Sequence, residues 1–136
     1  MREIFVDSAY HIAVFNDDDQ LHARAMEVGR QLGTEPGLAF VTTESVLVEF
    51  LAFFSRMRPR LRLAAADYVD QTRSVMTVLP QPTALFDAGL DLYRRRADKT
   101  YSMVDCMSMA LCRERDIQDI LTADRDFEQE GFTLLL

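Results

Sequence analysis

Four acidic side chains stand where a folded chain has difficulty keeping them: Asp7, Glu49, Asp105 and Asp124. Asp7 closes the apolar run "EIFVD", and Asp124 follows "ILTA". Glu49 is the only charge in "SVLVEFLAFFS", residues 45–55, and Asp105 interrupts the Met-rich run "SMVDCMSMALC", residues 102–112. An ionised carboxylate taken out of water without a partner is costly. Each acid has a structural reading. Asp7 and Asp124 fit as strand-end or turn residues, and Asp105 fits as the reciprocal partner of Ser102 in a helix cap. Glu49, in a helix apolar nearly all round, is the hardest to explain as structure. If the four converge, nothing cationic in the local sequence neutralises them, and like charges so close raise one another's pKa values. A divalent cation removes the difficulty. An oxygen-only donor set selects a hard ion, Mg²⁺ or Mn²⁺, and Mg²⁺ retains several waters, which suits hydrolysis of a phosphodiester. His11 and His22 are read as packed or surface residues, not as ligands.

The elements that must position these acids can be read from the punctuation of the chain. "EIFVD", "LAFVT", "VMTVLP" and "DILTAD" read as strands, with "GFTLLL" as a fifth. Helices are expected over Ser8–Asn16, Leu21–Leu32, Thr43–Met57, Leu61–Thr72 and Thr83–Ala97, and from Ser102 onward. "NDDDQ" is a turn whose acids favour the next helix N-terminus. Pro59 is expected to break the third helix. Ser102 and Asp105 have the S-x-x-D spacing of an N-terminal cap. Strands alternate with helices, and the strands are continuous apolar runs, so the class is α/β, with a buried parallel sheet covered by helices on both faces. Sites in such sheets form at the carboxyl ends of strands, near the switch in strand order.

The ordered set "IFVDSA", "TTESVLVEFL" and "DKTYSMVDCMSMALCRERDIQDILTADRDFEQEGF" resembles the PIN-domain ribonucleases, in particular the VapC-like toxins of toxin–antitoxin systems. The likeness covers essentially the whole chain, residues 1–136, as one PIN-like domain. It implies a three-layer α/β/α fold with a central parallel sheet of about five strands, and Mg²⁺- or Mn²⁺-dependent hydrolysis of RNA. On this likeness Asp7 and Asp105 are the principal metal ligands. Glu49 ligates directly or through water, or orients the nucleophile, and Asp124 completes the shell. Ser8 and Thr122 are hydroxyls that orient these ligands. Many relatives carry His two residues after the fourth acid, where this chain has Asp126. Asp124 follows the T-x-D pattern and is the expected ligand, with Asp126 a turn or helix-start residue. The likeness also implies a homodimer and a small antitoxin protein as partner; the cytoplasmic location is expected from an N-terminus without a signal pattern.

The bulk numbers fit one core of ordinary size. The chain has 136 residues, 49% hydrophobic and 27% charged, and no apolar run long enough to span a bilayer. The N-terminus lacks a signal-peptide pattern. A net charge of −7 argues against broad nucleic-acid affinity. Its distribution argues less: "RMRPRLR" gathers Arg56, Arg58, Arg60 and Arg62, and "YRRR" adds Arg94, Arg95 and Arg96. These read either as solvated helix ends or as a phosphate-binding rim. Phe50, Phe53 and Phe54 read as core or dimer contact. Cys106 and Cys112, six apart in one helix, do not share a face at ~100° per residue and are expected as buried thiols. A phosphotransferase with D-x-D after its first strand is disfavoured by "DSA". The remaining alternative to an enzyme is a catalytically silent PIN-like binding or scaffold module.

Overall fold

The computed structural model describes residues 1–136. Five strands form one sheet: β1 (Arg2–Val6), β2 (Leu38–Thr43), β3 (Thr77–Leu79), β4 (Asp119–Leu121) and β5 (Thr133–Leu134). Their order is β3-β2-β1-β4-β5, and every pairing is parallel. Seven helices connect them: α1 (Ser8–Phe15), α2 (His22–Gly33), α3 (Glu44–Phe53), α4 (Pro59–Val75), α5 (Thr83–Arg95), α6 (Met103–Glu114) and α7 (Asp126–Gln129). No helix is long and apolar enough to cross a membrane.

The period of two along a strand sorts the core into layers. Phe5 and Ile120 pack with Leu85 and Leu92 of α5 and Met107, Met109 and Leu111 of α6. Ile4, Val6 and Leu121 pack on the opposite face with Tyr10 and Ala13 of α1 and Ala25 and Val28 of α2. The fold is therefore the expected three-layer α/β/α sandwich. A smaller cluster of Phe50, Phe54 and Ala65 joins α3 to α4.

Three boundaries depart from the sequence reading. The third helix ends at Phe53, not near Met57. Pro59 does not lie in a break but opens α4, which runs on to Val75. Proline at the first helical position lacks only an N–H that would have had no partner there. The fifth helix ends at Arg95, short of Ala97.

The first two crossovers run from β1 outward to β2 and β3, and the third returns past β1 to β4. The direction of winding thus reverses between β1 and β4, and a crevice opens at their carboxyl ends. His11 helps fix that end of β1. It is fully buried, with Nδ1 2.9 Å from the Tyr68 hydroxyl and Nε2 3.3 Å from Thr42 Oγ1. Thr42 donates its own proton to the Val6 carbonyl at 2.8 Å, so it can only accept from His11. The imidazole is therefore the neutral Nε2–H form, and burial lowers its pKa to about 4. His22 bonds the Ala13 carbonyl at 2.8 Å. Neither histidine side chain is hydrogen-bonded to a carboxylate of the crevice.

Candidate active site

Asp7 is 3% exposed, directly after β1. It occupies the N-cap position of α1 yet makes no side-chain cap bond. Its Oδ2 accepts the Thr122 hydroxyl at 2.9 Å. Its Oδ1 is buried with no hydrogen-bond partner. Most buried polar atoms are satisfied, so an orphaned carboxylate oxygen needs an explanation. Burial raises the Asp7 pKa to about 7, and the charges of Asp105 and Glu49 push the same way against the Thr122 hydrogen bond.

The other three acids are brought to the same crevice by different elements. Glu49, half-buried on α3, accepts a short hydrogen bond from the Ser8 hydroxyl of α1. Asp105 lies in the first turn of α6 and closes the capping box. Its N–H donates to Ser102 Oγ at 3.1 Å, and its Oδ2 accepts from the Ser102 N–H at 3.0 Å. The structural reading and the chemical one therefore coexist, because capping occupies one carboxylate oxygen. Burial raises the Asp105 pKa to about 6, with the charges of Asp124 and Glu49 adding to it. Asp124 follows β4, where its N–H donates to Thr122 Oγ1 at 3.1 Å. Thr122 thus binds the acid after β1 and the acid after β4 with one hydroxyl.

Asp126 is the residue sequence reading set aside. It does begin a helix, as expected, with its N–H donating to Asp124 Oδ1 at 3.0 Å. Its carboxylate also turns into the crevice: one oxygen each from Asp105, Asp124 and Asp126 lies within 4.8 Å of the others. Burial and the Asp124 charge raise its pKa. The available signal was the D-x-D spacing after β4, which places two acids on one tight turn.

Glu130 is a second site that the sequence did not disclose, and it shows what a protein-neutralised acid looks like here. Its side chain is 5% exposed. It accepts from Arg96 at 2.9 Å, Arg113 at 3.0 Å and the Tyr101 hydroxyl at 3.1 Å. Burial alone would raise its pKa, but these three donors outweigh it and lower it to about 2. The crevice acids have no such arginines: no ion pair includes Asp7, Glu49, Asp105, Asp124 or Asp126. Hard oxygen donors, crowded, without a protein cation beside them and with one oxygen orphaned, fit a divalent metal ion.

The basic stretches are sorted by the tertiary structure. Arg95 pairs with Asp91 at 2.9 Å and Arg96 with Glu130, so neither is free. Arg62 donates to the Ser55 carbonyl at 2.6 Å and ties the corner between α3 and α4. Arg56, Arg58, Arg60 and Arg94 are exposed and without carboxylate partners. Phe50 and Phe54 are core, whereas Phe53 is 49% exposed. Both cysteines are buried free thiols.

Comparison with known proteins bears on the family and the fold. Residues 4–132 match the PIN domain. The chain is 29% identical over 129 residues to the 23S rRNA-specific endonuclease VapC20 of Mycobacterium tuberculosis, an alignment covering 95% of each chain. The crystal structure of Mycobacterium tuberculosis VapC20, a sarcin–ricin loop cleaving toxin, has a TM-score of 0.81 and 29% identity over 96% of both chains. VapBC2 from Rickettsia felis, bound to a DNA fragment from its promoter, has a TM-score of 0.69 at 9% identity, over 97% of this chain and 96% of that one. This last likeness concerns the fold alone.

Proposed function

This chain belongs to the PIN domain family, and from that premise we propose that it is a metal-dependent endoribonuclease and the toxin of a VapBC-type pair. Its metal is Mg²⁺ or Mn²⁺. The ligands are Asp7, Glu49, Asp105 and Asp124, with Asp126 added from its place in the crevice. The whole chain, residues 1–136, acts as one PIN-like domain. The observation that carries this reading is the orphaned, buried Asp7 Oδ1 among carboxylates that no arginine neutralises.

The residues divide the work. Thr122 holds Asp7 by its Oδ2 and leaves Oδ1 unpartnered and free to take a ligand. Ser8 fixes Glu49 by one oxygen. The capping box fixes Asp105 on a rigid helix start. Asp7 and Asp105, with pKa values of about 7 and about 6 in the metal-free protein, exchange protons for the cation near neutral pH. Bound metal supplies Lewis-acid polarisation of the phosphate and lowers the pKa of attacking water. An RNA phosphate, itself anionic, needs that cation to approach five carboxylates.

The relationship to VapC20 makes 23S rRNA, and within it the sarcin–ricin stem-loop, the first substrate to test. A toxin implies an inhibitor, so a small antitoxin protein is the proposed partner. A homodimer is the proposed assembly. Two measurements test the reading together: calorimetric titration with Mn²⁺, and cleavage of purified 23S rRNA with Mg²⁺ or Mn²⁺. Wild-type protein should bind Mn²⁺ and cut the RNA, and Asp7→Asn plus Asp105→Asn should abolish both. Unchanged Mn²⁺ binding in the double variant would show the ligand set to be wrong. Mn²⁺ binding with RNA bound but never cut would favour the silent module.

A further inference from the structure

A cavity of about 500 Å³ opens where the end of α5 meets the start of α6, lined by Tyr93, Arg94, Arg96, Lys99, Tyr101 and Cys106 among others. It adjoins the acid cluster without being part of it: Tyr101 and Cys106 bracket Ser102 and Asp105 on one helix turn. Its walls hold three cations and no carboxylate, on a chain of net charge −7. Cations in the last turn of α5 have a bland explanation, since a helix C-terminus favours them. That explanation does not cover how they are partnered. Arg95 is held by Asp91, and Arg96 by the buried Glu130. Arg94 has no carboxylate partner. Lys99, the only lysine of the chain, has only Asp98 at 3.8 Å, and that residue is 74% exposed. Arg94, unpaired, and Lys99, held only by that long and exposed contact, therefore share a cavity with the half-exposed ring of Tyr93, beside the crevice.

On the ribonuclease reading above, we propose that this cavity is an RNA subsite holding a nucleotide that flanks the scissile phosphodiester. Arg94 and Lys99 take its phosphate, and its base stacks on Tyr93. Arg96, committed to Glu130, shapes the wall. A cavity of this volume accommodates a nucleotide. The pairing of cations with an aromatic face is what a single-stranded or flipped-out nucleotide needs, since phosphate contacts position the strand and stacking tolerates any base. An acidic peptide would use the cations but not the ring.

Lys99 gives a direct probe. Reductive methylation with ¹³C-formaldehyde labels only Lys99 and the N-terminal amine and keeps both charges. The full-length labelled protein, with Ca²⁺ in place of Mg²⁺ or Mn²⁺ so that the acids are neutralised while cleavage is suppressed, is titrated with sarcin–ricin stem-loop RNA and with an unstructured RNA oligonucleotide of mixed sequence. The Lys99 methyl signal should shift on RNA and not on a polyglutamate peptide. In binding measurements, Arg94→Ala and Lys99→Ala should each flatten the dependence of log affinity on log salt, by roughly 0.7 to 0.9 per lost phosphate contact. Tyr93→Ala should weaken binding about tenfold while leaving that slope unchanged. Arg24→Ala should change neither, because α2 packs on the opposite face of the sheet. A Lys99 signal that stays put while RNA is bound, or that answers only to polyglutamate, overturns the subsite and leaves the nuclease standing. Failure of both RNAs to bind overturns both.

Discussion

Asp7 shows how much one side chain reveals when its environment is costed. A cap residue normally spends its carboxylate on the first free N–H groups of the helix. Asp7 does not cap α1, and one of its oxygens bonds nothing. The consequence is a measurable pH dependence in the metal-free protein. A carboxyl whose folded pKa lies above its unfolded value holds extra protons in the native state, so its ionisation destabilises the fold. The Asp7 contribution is intact below about pH 4 and is lost as pH rises through about 7. Asp105 behaves alike, up to about 6. His11 opposes them. Its folded pKa of about 4 lies below the ordinary 6.5, so its contribution is present above 6.5 and is lost as pH falls. Glu130, lowered to about 2 from 4.5, contributes fully above about pH 4.5 and stays out of this window. Comparison with a variant removes the opposing groups. In EDTA, Asp7→Asn should melt above wild type by a clearly larger margin at pH 7.5 than at pH 5. An equal gap at both pH values would mean that Asp7 is ionised throughout. With Mn²⁺ added at pH 7.5, wild type should gain melting temperature by mass action and Asp7→Asn little.

At the scale of elements, the site depends on α6 meeting α5 closely, since α6 carries Asp105 and both helices wall the adjoining cavity. Gly89 makes that approach possible. A Cβ there would lie 2.4 Å from Met107 Cγ and 3.1 Å from the Met107 backbone. Gly89→Ala should therefore destabilise by about 1–2 kcal/mol, the overpacking cost less the gain in helix propensity. Gly33, at the end of α2, has nothing within 4 Å of such a Cβ and no positive φ. Gly33→Ala should be neutral or stabilising by up to about 1 kcal/mol. Urea denaturation of the two variants checks both signs, and a stabilising Gly89→Ala would show that α5 and α6 can separate without cost. The clasp around Glu130 holds the same neighbourhood from the other side, joining the ends of α5 and α6 to α7.

Taken whole, the molecule separates its tasks by surface. The acids gather at the carboxyl ends of β1 and β4, and the unpaired arginines lie at helix ends. Large apolar side chains are exposed on α3 and α4: Val48 is 65% exposed, Phe53 49% and Leu63 67%. These side chains are the surface on which the proposed homodimer is tested. Phe53→Glu combined with Val48→Glu should convert the protein to a monomer in sedimentation velocity with little change in melting temperature. A dimer that survives the double change would place the interface elsewhere.

Much of this protein was decided by short-range pattern. The alternation of strand and helix, the position of Asp7 at the end of β1, the Ser102–Asp105 cap and the order of the four acids all depend on neighbours within a few residues, and spacing encodes such neighbours. The bond between Arg95 and Asp91 belongs to the same class, being one helical turn long. Other features depend on which segments the sheet order brings together. Thr122 reaches Asp7 across 115 residues, and Ser8 reaches Glu49 across 41. Arg96 is taken out of the basic run by Glu130, 34 residues away. Asp126 joins Asp105 only because β4 lies beside β1 and its exit turn faces the start of α6. Such pairings have no local signature. They are set by packing of the two helical layers on a sheet whose winding reverses at one point, and only there do acids far apart in the chain come together.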